Sequence, residues 1–284
     1  MAFKDILLAL TSYPDRTPDA SIDRALAFGA TLGGHVTALT FEGEVTLRRS
    51  TNMLTNMLIG LPEMLAEELA KSVVNSKHLL SYFEASATRL RVPHDAVLSR
   101  CNAFQVPEAL VERSKLHDLT IVPLQDGYSV EQWYAEAVIF GSGAPVIVLP
   151  GPGKVASPIS LDTVTVAWDF SRPAARALAD AMPLLEKAKQ VRAVTITNEK
   201  EIASPHSHAE FAQHLLKHGI SIAMDMVDAK GRSAGAAITE HLKATGSTVL
   251  VMGAYGHSRV KEFVLGGTTR DMLEHPPVPV FLSH

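Results

Sequence analysis

Short apolar runs of strand length alternate with longer amphipathic segments along the whole chain. Phe3 to Leu10 is such a run, and Ser21 to Gly33 after it carries Ile22, Ala25, Leu26, Gly29 and Leu32 at helical spacing. Val36 to Phe41 reads as the next strand. The order strand, helix, strand recurs at Val164–Trp168, Ala174–Ala188 and Val191–Thr197, and Arg24-Ala25-Leu26-Ala27 returns as Arg176-Ala177-Leu178-Ala179. Further on, Leu119 to Leu124 resembles Thr248 to Met252, and Ala144-Pro145-Val146-Ile147-Val148 resembles Val278-Pro279-Val280-Phe281-Leu282. The pattern is a long-period internal duplication.

Strands alternating with helices favour right-handed βαβ crossovers and a parallel sheet covered on both faces. The expected fold is therefore α/β, with two tandem doubly wound domains. Each is a five-stranded parallel sheet flanked by helices, of the flavodoxin-like or adenine nucleotide α-hydrolase-like kind. Pro150-Gly151-Pro152-Gly153-Lys154 to Ser157-Pro158 has the composition of a linker, which sets the domains at 1–153 and 154–284. The first half also carries a longer connection, Gly43 to Gly60, which reads as an extra helix or a lid ahead of a long helix from about Pro62 to Leu90. Each half ends on an apolar strand, and an apolar edge strand is an aggregation hazard unless covered. Val146–Leu149 and Val278–Leu282 are thus expected to pair with each other within the chain.

Composition narrows the functional classes. The 284 residues have a formal net charge of -4, which gives no attraction to nucleic acid or an anionic membrane. A single cysteine, Cys101, allows no intrachain disulfide and suits a reducing compartment, so a cytoplasmic location is expected. Lys4, Asp5 and Tyr13-Pro14 break the N-terminal apolar stretch too early for a signal peptide or a membrane anchor.

Sheets of this topology place ligands beyond the carboxyl ends of their strands. After the fourth strand of the second half the sequence reads Met252-Gly253-Ala254-Tyr255-Gly256-His257-Ser258-Arg259, and after Leu265 it continues Gly266-Gly267-Thr268-Thr269. Glycines let backbone approach phosphate oxygens, and a following helix start supplies free N–H groups and a positive dipole end. Trp168-Asp169-Phe170-Ser171, at the end of the half's first strand, faces the same crevice. On these residues the sequence resembles the universal stress protein family, whose ATP-binding members carry a G-x-x-G-x9-G-[S/T] loop and an aspartate after the first strand. The resemblance spans both halves. It implies that Asp169 meets the adenosine portion, with Ala167 and Ile196 lining the base pocket. Met252 and Gly253 would flank the ribose and phosphates, and Gly256, Gly266, Gly267, Thr268 and Thr269 would wrap the phosphate chain. Gly267 stands where the family has a serine or threonine.

The ligand so implied is ATP or another adenine nucleotide, with or without Mg2+, and single-domain relatives that dimerise leave a homodimer open. In the first half Gln125-Asp126-Gly127 replaces the glycine pair, Glu131 follows, and nothing after the first strand matches Asp169, so ATP is not expected there. Two other functional classes stand beside a nucleotide-binding stress or signalling module. One is an enzyme, a slow ATPase or a nucleotide α-hydrolase relative, although the SGGxD-type loop of the latter is missing. The other is a ligand-sensing scaffold using the first half. His206, His208, His214 and His218 fall in one segment, and the i, i+4 pair can chelate a metal, but a solvated helix face is the plainer reading.

Overall fold

The computed structural model describes residues 2–43, 61–125, 129–153, 159–199, 206–254 and 267–284, the side chains of 61–66 excepted. The connection 44–60, read from sequence as a helix or lid, lies outside the described residues.

The first half runs β1 (Asp5–Leu10), α1 (Asp19–Leu32), β2 (His35–Gly43), α2 (Leu61–Leu90), β3 (His94–Cys101), a 3-10 turn (Ala103–Gln105), α3 (Val106–Ser114), β4 (Leu119–Pro123), α4 (Val130–Gly141) and β5 (Val146–Leu149). The second runs β6 (Thr163–Ala167), α5 (Arg172–Leu185), β7 (Gln190–Thr197), α6 (His208–Lys217), β8 (Ile222–Asp228), α7 (Ala234–Thr245), β9 (Val249–Gly253), α8 (Gly267–Glu274) and β10 (Val280–Ser283). Local chemistry sets several of these ends. Gly33, at φ 79°, closes α1 in the left-handed conformation. A capping box between Ser207 and Glu210 opens α6.

The strands form one ten-stranded sheet in the order β3-β2-β1-β4-β5-β10-β9-β6-β7-β8. All neighbours are parallel except at the centre, where β5 and β10 run antiparallel with Ile147 opposite Phe281. Alternation along each strand sorts side chains into two layers. Ile6, Leu8, Ile147, Val164, Val166, Val251 and Phe281 face the side covered by α1, α2, α5 and α6. Leu7, Val146, Val148, Leu250, Met252, Val280 and Leu282 face the side covered by α3, α4, α7 and α8. Both layers therefore run unbroken from one half into the other.

Polar contacts reinforce the seam. Sequence spacing extends the helix after β6 to Ala188, but α5 stops at Leu185, and Lys187 instead donates to the carbonyls of Thr31 and Leu32 at 3.1 and 2.5 Å. A cation thus caps the C-terminus of α1, the negative end of its dipole. On the other face Gln132 Nε2 of α4 donates to the Leu273 carbonyl of α8 at 3.2 Å. Among the described residues no helix is long and apolar enough to cross a membrane.

Candidate functional site

In the second half β6 has β7 on one side and β9 on the other, so the crossover direction changes at β6. Connections diverge at such a point and leave a crevice beyond the carboxyl ends of the strands. A cavity of about 220 Å3 opens there.

Its walls come from several elements. Ala167 ends β6 and Asp169 follows it, Val194 and Ile196 lie near the end of β7, Ile238 comes from α7, and Met252 and Gly253 end β9. Gly267, Thr268 and Thr269 form the start of α8. Of the residues singled out by sequence, Ala167, Asp169, Ile196, Met252, Gly253, Gly267, Thr268 and Thr269 therefore share one crevice. Gly256 and Gly266 lie outside the described residues. Sequence reasoning passed over Val194, Ile238, Pro173, Ala174 and Glu199, which also line it. A signal existed for Val194, which sits two residues before Ile196 and so on the same face of the strand.

The turn from β6 into α5 is built tightly. The Trp168 N–H extends the ladder by donating to the Val194 carbonyl at 2.9 Å. Asp169 Oδ1 accepts the Ser171 N–H at 3.0 Å, and Ser171 Oγ caps α5 by accepting the Ala174 N–H at 3.3 Å. Between them Phe170 is left-handed, at φ 60°, a conformation that a Cβ-bearing residue adopts at a cost of about 1–2 kcal/mol. Aromatic packing offsets that cost. Phe170 meets Trp168 and His208 edge-on, with centroids 5.4 and 5.1 Å away.

Gly253 is needed for the approach of β9 to this turn. A Cβ on it would lie 2.5 Å from the Ala174 nitrogen and 2.7 Å from Pro173 Cβ, closer than real Cβ contacts come. Gly267 is the opposite case: among the described residues a Cβ there would meet nothing within 4 Å.

The apolar wall of Ala167, Val194, Ile196, Ile238 and Met252 suits a flat ring. The charged groups are Asp169 and Glu199, and the described lining contains no Lys or Arg. Among the described residues, positive potential in the crevice comes from backbone N–H groups at the starts of α5 and α8.

The four histidines do not converge. His208 Nε2 lies 3.1 Å from Thr195 Oγ1, His206 lies 3.8 Å from Glu210, and His214 and His218 pack edge to face at 5.0 Å. Among the described residues no group of three or more His, Cys, Asp or Glu side chains is arranged to hold a metal.

A doubly wound α/β chain with a crevice at its topological switch point is the class that fold and geometry define. The model of the universal stress protein family matches residues 160–284, in the second half of the chain. No curated protein matches the chain. Among solved structures, a universal stress protein from Archaeoglobus fulgidus DSM 4304 has 16% identity, with 99% of this chain and 97% of that chain covered at a TM-score of 0.70. A putative universal stress protein from Pseudomonas aeruginosa UCBPP-PA14 has 15% identity, with 99% and 93% covered at a TM-score of 0.56. At these identities the two show that the fold is shared through the whole length of the chain. A universal stress protein family protein from Arabidopsis thaliana with AMP bound has 15% identity over 55% of this chain and 97% of that one, with a TM-score of 0.34.

Proposed function

We propose that the second half binds an adenine nucleotide, ATP foremost, and that the protein works as a nucleotide-dependent stress or signalling module. The observation that carries this reading is the meeting of Asp169, Met252, Gly253, Gly267 and Thr268 around one switch-point crevice with an apolar wall. At about 220 Å3 the crevice is smaller than the roughly 300 Å3 at which pockets begin to enclose a drug-sized ligand. It accommodates a base and sugar, with the phosphates running out along the start of α8.

In this arrangement the base lies against Ile196, Val194 and Met252, and Asp169 accepts hydrogen bonds from the nucleoside. The N–H groups of Gly267 and Thr268 face the phosphates, aided by the helix dipole. That a Cβ at Gly267 would meet nothing within 4 Å among the described residues suits that role. A bound Mg2+ would offset the repulsion between a polyphosphate and the Asp169 and Glu199 carboxylates. None of this requires turnover.

Isothermal titration of the full chain with ATP tests the reading, with phosphate release followed in the same samples. One ATP per chain is expected, with binding abolished in Gly256→Val and at least about tenfold weaker in Asp169→Ala, each judged against an unchanged thermal midpoint. Unaltered affinity in both variants would leave the loop a structural feature only.

A further inference from the structure

The first half has its own crevice at the corresponding place, and its chemistry is inverted. A cavity of about 340 Å3 lies beyond the ends of β1 and β2, against α2, α3 and α4. Strand for strand this is the position of the crevice at β6 and β7.

Several polar groups of its wall are already engaged with neighbouring backbone. Ser12, in the place of Trp168-Asp169, donates its hydroxyl to the Phe41 carbonyl at 2.5 Å. Ser72 Oγ accepts the Gly43 N–H at 3.0 Å, and Asn75 Nδ2 donates to the Ser12 carbonyl at 2.8 Å. The Asn102 side chain accepts the Phe104 N–H at 3.1 Å. At the mouth, Glu68 is held by Lys71 at 2.7 Å. What remains for a ligand is an apolar lining: Leu10, Phe41, Leu69, Phe104, Val106 and Tyr134.

Anions are disfavoured on the side where a phosphate chain would leave. Gln125 donates to Glu131 Oε1 at 3.0 Å, and Glu131 is 1% exposed, so a carboxylate sits beneath that exit. Burial, reinforced by the charge of Glu131, pushes the Tyr134 phenol well above the ordinary tyrosine range. Its hydroxyl therefore stays neutral. Phe104, by contrast, is 83% exposed beside the opening, a large apolar side chain that an occupant would cover.

We propose that the first half binds an uncharged, predominantly apolar small molecule in this cavity, at a site separate from the crevice of the second half. An apolar cavity of about 150 Å3 in another protein already takes up benzene, and pockets above roughly 300 Å3 enclose drug-sized ligands. Size and lining here both lie on the favourable side of those marks.

The probe is N-phenyl-1-naphthylamine, a neutral dye that brightens in apolar surroundings, added to the full chain. The expected result is saturable one-to-one binding that excess ATP does not displace. Leu69→Trp, which fills the cavity, is expected to weaken binding about tenfold or more, and Phe104→Ala about threefold. Phe104→Ala alters a surface residue and leaves the thermal midpoint unchanged, so it decides the matter if Leu69→Trp fails to fold. Absence of saturable binding, displacement of the dye by ATP, or full affinity in the folded variants would overturn the proposal.

Discussion

The Trp168 indole lies flat on the ring of Phe211, with centroids 4.1 Å apart and planes 7° from parallel. The stack joins the turn that carries Asp169 to α6, so the position of the Asp169 carboxylate depends on packing outside the crevice.

Removing that support should cost both stability and binding. Phe211→Ala leaves a cavity under Trp168 and is expected to destabilise the fold by about 3–5 kcal/mol, the usual range for a buried Phe→Ala change. Phe211→Leu should lose less than half of that. Urea unfolding measures the first effect and ATP titration the second. A Phe211→Ala protein as stable as the wild type would show that the stack is incidental.

Gly253→Ala places a Cβ against the backbone of Pro173 and Ala174, neither of which is the free end of a side chain. The start of α5 must shift, which core overpacking data put at about 1–3 kcal/mol. The expected outcome is a lower thermal midpoint together with weakened nucleotide binding. Gly267→Ala should leave stability nearly unchanged because its Cβ meets nothing within 4 Å among the described residues.

The central seam rests on four residues a side, β5 against β10. Proline at Ile147 or Phe281 removes a ladder hydrogen bond and clashes across the seam. Limited proteolysis should then cut near Pro150–Gly153 faster than in the wild type. Small-angle scattering of the wild type should give one compact particle, and two separated lobes would contradict the seam.

His241 gives stability a defined pH dependence. Burial pushes its pKa below the usual 6.5; Asp225 at 3.3 Å opposes the shift and Arg192, itself bound to Asp225 at 2.8 and 2.9 Å, adds to it. The unfolded chain therefore takes up this proton before the folded one does. Stability should fall as the pH drops through about 6.5 and be complete above it. Urea midpoints at pH 7.5 and 5.5 check the sign. His241→Asn should flatten the difference, and an unchanged difference would assign the slope to other groups.

Much was legible in the sequence because it is local. Period-2 and period-3.6 patterns place the elements and assign Ile6 and Leu8 to one layer and Leu7 and Ala9 to the other. The duplication and the family resemblance rest on short motifs such as Trp168-Asp169 and Gly266-Gly267-Thr268, which keep their meaning without a fold. Side-chain periodicity does not encode the partners of a strand or their register. Pairing of the two last strands was an expectation of the sequence, but only tertiary structure could set Ile147 opposite Phe281, bring Lys187 to the end of α1, or bring Ile238 to the crevice that holds Asp169. Likewise only the packing of Ser72 and Asn75 onto the ends of β1 and β2 decided that the first half's crevice is satisfied and apolar, because those groups meet across distant stretches of chain.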